Sequence, residues 1–288
     1  MALEPLHTHH ERSFETNRFV YPVLSRRSGG ISIGVNLNPD KVCNFDCVYC
    51  QVDRTSASET RFVELDQLFD ELDHMLAFVG SGQLFETPKF AATPESLRRL
   101  NDIAFSGDGE PTTYRNFDEI IASAAELKRR HGLDDVKMVL ITNASMFHRP
   151  HVQRGLTTLM ENNGEIWAKL DAGTDEYFRR IDRTSIPFSR ILENIRDAAR
   201  RWPLVIQSLF MRVAAESPTA AELDAYCDRL NEVTAAGGEL KLIQIYTIAR
   251  RPAESFVTPL RDGEVDALAE LVERRTGLKV ARYYGAAN

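Results

Sequence analysis

Six times along this chain a short run of apolar and β-branched residues gives way to a longer stretch with helical spacing. The pattern predicts strands over Ile31–Leu37, Asp102–Phe105, Val136–Thr142, Glu165–Leu170, Leu204–Met211 and Glu239–Ile248. Helices are predicted over Leu65–Phe78, Phe117–Arg130, Pro150–Asn162, Arg190–Arg201, Ala220–Ala235 and Glu264–Thr276. In the second of these, Phe117, Ile120, Ile121, Ala124 and Leu127 repeat at the i, i+3, i+4 spacing of one buried face. Strand–helix repetition calls for parallel strands joined by crossover helices, which is the α/β class. Near-continuous apolar runs such as Val139-Leu-Ile141 are what strands covered on both faces look like. Six units fall short of a closed eight-stranded barrel. A partial, open (βα)6 barrel and a doubly wound sheet both fit, and in either one ligands gather at the carboxyl ends of the strands. The expected layout is a polar lead-in over residues 1–30 and one domain over 31–288, with Gly80–Pro94 as a long loop.

The formal net charge is −7 and the pI near 5.6, a balance that speaks against a surface built for phosphate-backbone contacts. No apolar stretch approaches the ~20 residues needed to span a bilayer. No apolar leader is visible in the first residues, so a cytoplasmic location is the default expectation.

Three of the four cysteines fall within eight residues, in Cys43-Asn-Phe-Asp-Cys47-Val-Tyr-Cys50, just after the first predicted strand. Clustered cysteines in a reducing compartment suit a metal site better than a disulfide framework. Thiolates are soft ligands for iron–sulfur clusters and for zinc. A [4Fe–4S] cube ordinarily takes four cysteines, so three leave one iron open. Structural zinc is normally closed by four protein ligands, and here would need a distant histidine or Cys227. Cys227 sits in a helical stretch and reads as a small buried hydrophobe.

The C-x3-C-x2-C spacing, with aromatic Tyr49 before the last cysteine, resembles the signature of the radical S-adenosylmethionine (SAM) superfamily. The resemblance implies the partial (βα)6 barrel, a [4Fe–4S] cluster on Cys43, Cys47 and Cys50, and S-adenosyl-L-methionine chelated by the open iron. It implies reductive cleavage of that cofactor to methionine and a 5′-deoxyadenosyl radical that takes a hydrogen atom from substrate. Tyr49 is then expected on the adenine side.

The other strand ends carry polar residues as well. After the second strand comes Ser106-Gly-Asp-Gly-Glu-Pro-Thr-Thr113, where two glycines permit close backbone approach and Glu110 offers a carboxylate to an ammonium. A tight turn with a charged cap is the plainer alternative. The segment resembles the superfamily's glycine-rich motif for the methionine amino group, which assigns Gly107, Gly109 and Glu110 to the cofactor. Thr142, Asn143 and Ser145 end the third strand, as contacts to cofactor carboxylate or ribose or as caps of the next helix. Lys169 and Asp171 share one face of the fourth strand. There they need partners, and they are candidate cofactor contacts or catalytic groups. Gln207, Gln244 and Tyr246 are polar residues inside apolar strands; Gln207 and Tyr246 join the cofactor set.

Lys169-Leu-Asp-Ala172, Phe178-Arg-Arg-Ile-Asp-Arg183 and Ile245-Tyr-Thr-Ile-Ala-Arg-Arg-Pro252 resemble the wyosine-type tRNA-modifying branch of the superfamily. The chain departs from those enzymes in its acidity, its lack of a second cysteine cluster and its lack of a flavodoxin-like domain. Arg250 and Arg251 are candidates for a substrate carboxylate or phosphate, since arginine's fork suits both. Arg26-Arg27-Ser-Gly-Gly30 and the tract holding His7, His9 and His10 read as a charged turn and a solvated tail. The resemblance implies a reductant partner such as flavodoxin or ferredoxin, a substrate that is a small molecule, RNA or protein, and no membrane. Competing readings are a glycyl-radical activase, an RNA modifier, and a zinc-binding or electron-carrying scaffold without catalysis. No P-loop, dinucleotide fingerprint or serine–histidine–acid set is present.

Overall fold

A computed structural model describes residues 14–25, 27–54, 56–58 and 60–285. His7, His9, His10 and Arg26 lie outside the described residues. The chain divides into two compact units. The first comprises Met1–Cys43, Ser56–Ile141 and Arg149–Glu165; the second comprises Asn44–Thr55, Thr142–His148 and Ile166–Asn288.

In the first unit, β1 (Val20–Ser25) pairs antiparallel with β2 (Gly30–Val35). Parallel pairing then carries β2 to β3 (Leu100–Phe105) and β3 to β4 (Lys137–Thr142). Helices α1 (Leu65–Gly80), α2 (Phe117–Arg130) and α3 (Pro150–Glu161) follow β2, β3 and β4 in turn. The expected α2 stripe is the one that is buried, from Phe117 through Ile120, Ile121 and Ala124 to Leu127. On α1 the buried face includes Glu71, a costly residue to desolvate unless its lone pairs are satisfied. It accepts from the backbone amides of Arg18, Phe19 and Val20 at 2.8–3.1 Å and so fixes the entry into β1.

The second unit begins with β5 (Gly164–Lys169), α4 (Asp175–Asp182) and α5 (Phe188–Ala199). It continues with β6 (Leu204–Leu209), β7 (Met211–Val213), α6 (Ala220–Ala235) and β8 (Leu240–Tyr246). It closes with β9 (Val257–Pro259), α7 (Asp262–Thr276) and β10 (Val280–Tyr283). Strands β5, β6, β8 and β10 pair in parallel in that order, and β7 and β9 form a separate antiparallel pair. Lys169 stands opposite Gln207, and Gln207 opposite Gln244, so the three occupy one row across adjacent strands.

All six predicted strands and six predicted helices are present, with ends shifted by a few residues. Each unit holds three βα units, giving the α/β class and the count of a (βα)6 partial barrel. The pattern did not foretell β1, α4, β7, β9 or β10. No helix among the described residues is long and apolar enough to cross a membrane.

Candidate functional site

Within the second unit, the segment carrying Cys47 and Cys50 has no regular secondary structure and is fastened at several points. The amides of Asp46 and Val48 donate to the carbonyls of Asp182 and Ile181 at the end of α4. The amide of Ala253 donates to the Cys50 carbonyl at 2.7 Å. Arg54 reaches the Phe45 carbonyl, the Asp46 carboxylate and, at 3.6 Å, the Cys50 Sγ.

Behind this loop runs a polar chain. The Cys47 thiol donates to Asp182 at 3.3 Å, and the Tyr49 hydroxyl lies between Asp171, to which it bonds, and Asp182 at 3.3 Å. Asp171 also accepts from the Leu209 amide at 2.6 Å and pairs with Lys169 at 3.1 Å. The Lys169 ammonium donates to the Tyr246 hydroxyl at 2.9 Å and stands 4.8 Å from the centre of the Tyr49 ring, within cation–π range. Burial alone would lower the lysine's pKa, but Asp171, Tyr246 and Cys47 together outweigh it and hold the ammonium form. Burial, with Asp171 close by, pushes Asp182 up to about 7. Burial also raises the Cys47 thiol, with Asp182 adding to the effect. Lys169 and Asp171, which strand alternation puts on one face, thus serve as each other's partners. Lys169→Met leaves the Asp171 carboxylate buried without its counter-charge. A loss of about 3 kcal/mol is expected in the urea unfolding free energy, at an unchanged denaturant slope.

In the first unit, the turn after β3 is built against the segment leading to Cys43. Asn36 donates to the Asp108 carboxylate at 2.7 Å, and its own carbonyl accepts from the amides of Asp108 and Asn38. A Cβ on Gly107 would stand 2.2 Å from Asn36 Oδ1, and one on Gly109 the same distance from the carbonyl oxygen of Val42. The close approach made by these glycines is therefore to the chain itself, beside the first cysteine. Glu110 is buried and accepts from the amide and hydroxyl of Thr112, capping the short 3-10 turn Pro111–Thr113. Gly109→Ala must push the Val42 backbone away from its place next to Cys43. About 1–3 kcal/mol of stability is expected to go with it. Iron content after reconstitution, measured beside the wild type, is expected to fall further than the fraction unfolded explains.

The turn after β4 joins the second unit. Thr142 accepts from the Ala144 amide, Asn143 accepts from the Ser145 amide, and Asn143 donates to Asn44. Gln207 donates to Gln244 at 2.8 Å, and both are buried. Arg250 is half-buried and Arg251 exposed. Cys227 is fully buried in α6, as its helical position suggested. Sequence reasoning singled out neither Asn44 nor Asp182. The latter falls on the buried face of α4 with Phe178 and Ile181, and an acid at that spacing was the available signal.

Among the described residues no three His, Cys, Asp or Glu side chains are gathered at separations that hold a metal ion. The donor chemistry nevertheless fits a soft-metal cluster. Cys43, Cys47 and Cys50 are half-buried, none is in a disulfide, and all lie outside helix and strand.

The fold and these residues define an α/β chain of six βα units with a thiol-bearing loop after its first parallel strand. The model of the Radical SAM superfamily matches residues 37–217, and the chain belongs to that superfamily of enzymes. A UPF0026 protein of Helicobacter pylori strain J99 is 26% identical over 226 residues, covering 77% of this chain and 65% of that protein. A Brachyspira hyodysenteriae protein named GTPase Obg is 22% identical over 271 residues, covering 92% of this chain and 35% of its own length. The chain thus spans less than two-thirds of either relative. Among solved structures, TYW1 with a lysine–pyruvate adduct bound is similar at a TM-score of 0.52 and 17% identity. That match covers 86% of this chain and 74% of TYW1. Streptococcus suis SuiB bound to S-adenosylmethionine is similar at a TM-score of 0.54 and 12% identity, over 85% of this chain and 46% of SuiB. Both likenesses concern the fold.

Proposed function

We propose that Cys43, Cys47 and Cys50 hold a [4Fe–4S] cluster and that the protein is a SAM-cleaving radical enzyme of the cytoplasm acting on an unidentified substrate. The observation that carries this reading is the trio of thiols on one loop at the carboxyl end of β2, in a chain that belongs to the radical SAM superfamily. When bound by Cys43, Cys47 and Cys50, such a cluster would supply the electron for reductive cleavage of S-adenosyl-L-methionine to methionine and a hydrogen-abstracting adenosyl radical.

The protein's own residues bind and orient. Gly107, Gly109 and Glu110 would hold the methionine amino end. Thr142 and Asn143 would contact the cofactor's ribose or carboxylate, and Tyr49 would lie on its adenine side. Gln207 stands opposite Lys169 on the neighbouring strand, and the Tyr246 hydroxyl accepts from the Lys169 ammonium. Arg250 and Arg251 suit a substrate with a carboxylate or phosphate, and a flavodoxin or ferredoxin supplies the electron. The adduct named for TYW1 involves a lysine, and Lys169 is a poor candidate for such a role here. Its ammonium is held by Asp171, whereas a carbonyl-attacking amine must be neutral.

The test is anaerobic reconstitution with iron and sulfide, reduction, and addition of S-adenosyl-L-methionine. Methionine and 5′-deoxyadenosine are the expected products. A loaded, reduced protein that leaves the cofactor intact would refute the reading.

A further inference from the structure

Between Cys43 and Cys47, the Asn44 side chain closes a ring of three hydrogen bonds with the turn after β4. Its Nδ2 donates to Ser145 Oγ at 2.8 Å, the Ser145 amide donates to Asn143 Oδ1 at 3.1 Å, and Asn143 Nδ2 donates to Asn44 Oδ1 at 2.8 Å. The Asn44 carbonyl accepts from Thr184 Oγ1 at 2.9 Å, just past α4. The turn it grips is itself braced. Ala144 has a left-handed backbone at φ +60°, unusual for a residue with a Cβ. Its amide is held by Thr142 Oγ1, and Asn194 Nδ2, buried on α5, donates to the carbonyls of both Ala144 and Ser145. A strained turn bonded on three sides is a fixed post, and Asn44 is tied to it.

We propose that Asn44 is a positioning residue: it latches the cysteine loop to the 142–145 turn, pre-forms the loop before metal arrives, and couples cluster loading to the state of that turn. This rests on the cluster assignment above, but the latch is made by protein atoms alone and is tested in the metal-free chain. A loop ordered in advance does not lose its conformational entropy at the moment of binding. The coupling runs both ways, because a link between two segments affects each equally.

The experiment is amide hydrogen exchange on the full-length, metal-free protein, followed by reconstitution. Asn44→Ala removes two side-chain bonds and keeps the backbone bond to Thr184. Exchange is expected to quicken roughly tenfold or more both in residues 44–50 and in residues 142–146. Asn143→Ala is expected to loosen the same two segments. Asn44→Asp keeps oxygens that accept from Asn143 Nδ2 and from the Ser145 hydroxyl, and is expected to restore near-wild-type exchange. Slow exchange in α6 around buried Cys227 reports that the rest of the chain stays folded. After reconstitution, Asn44→Ala is expected to take up less iron and to give a broadened electron paramagnetic resonance signal on reduction, with Asn44→Asp recovering both. Unchanged exchange at residues 142–146 in Asn44→Ala, or no rescue by Asn44→Asp, overturns the latch. If Asn44→Ala unfolds throughout, the smaller lesion Ser145→Ala decides: exchange quickened only at residues 142–146 overturns the proposal, and quickening at both segments supports it. A wild-type protein that binds no cluster defeats the functional reading alone, because the exchange data still judge the latch.

Discussion

Replacing Cys43, Cys47 or Cys50 by alanine is expected to abolish both iron–sulfur loading and cleavage of S-adenosyl-L-methionine, whereas Cys227→Ala is expected to preserve them. The contrast follows from environment. The three loop thiols are half-buried on irregular backbone, while Cys227 lies fully buried on α6 among Tyr226, Leu230 and Val233. Thiolates must be deprotonated to bind iron, and a thiol sealed in a helix core has no route to a metal. Iron and sulfide analysis with visible spectroscopy reads the outcome for all four variants. Cys227→Ala carries only the modest stability cost of a small core truncation, about 1 kcal/mol. Loss of metal in that variant too would point to a closed four-thiol site, the zinc scaffold that the cysteine count also permits.

Gly173→Ala is expected to be among the most destabilising single changes in the second unit, at about 3 kcal/mol in urea denaturation. A Cβ on Gly173 would stand 2.1 Å from the Tyr226 amide nitrogen and 2.5 Å from the Ala225 carbonyl carbon. Both are backbone atoms of α6, so no side-chain rotation relieves the overlap. Nor can α6 retreat freely. Glu222 accepts from the Gly173 amide and the Thr174 hydroxyl, and the Tyr226 hydroxyl bonds to Ser208 at 2.6 Å. The displaced strand end carries Asp171, so the Lys169–Asp171–Tyr49 arrangement moves as well. Gly263→Ala on α7, where an added Cβ meets nothing within 4 Å, is the matched control. It is expected to stabilise by roughly 0.5–1 kcal/mol through helix propensity. Equal effects at the two glycines would contradict the packing argument.

What the sequence revealed and what it concealed divide along physical lines. The six βα units were legible because most strands bury a continuous apolar run, as in Leu204-Val-Ile206 and Met138-Val-Leu140, and most helices carry a periodic stripe. Strand β1 escaped because Pro22 sits in its middle, and proline is tolerated only where an amide is not needed for pairing, as on an edge. Strand β10 escaped because its residues, Val-Ala-Arg-Tyr, are all only half-buried and carry little contrast. The thiol triad, Gly109, Glu110 and the Lys169–Asp171 pair were visible as local patterns. Asp182 was not, because its meaning depends on Cys47 and Tyr49, more than 130 positions away in the chain. Asn44 was hidden for the same reason, being one asparagine in a loop until the turn after β4 is brought to it.

The proposed iron–sulfur cube is held by three thiols, with one iron left for the cofactor. Mössbauer spectroscopy of protein reconstituted with isotopically enriched iron, recorded before and after adding S-adenosyl-L-methionine, addresses it most directly. The expected result is roughly four iron and four sulfide per chain, with a single iron site changing its coordination when the cofactor is added. Bound zinc without sulfide, or a cluster whose irons all ignore the cofactor, would contradict it.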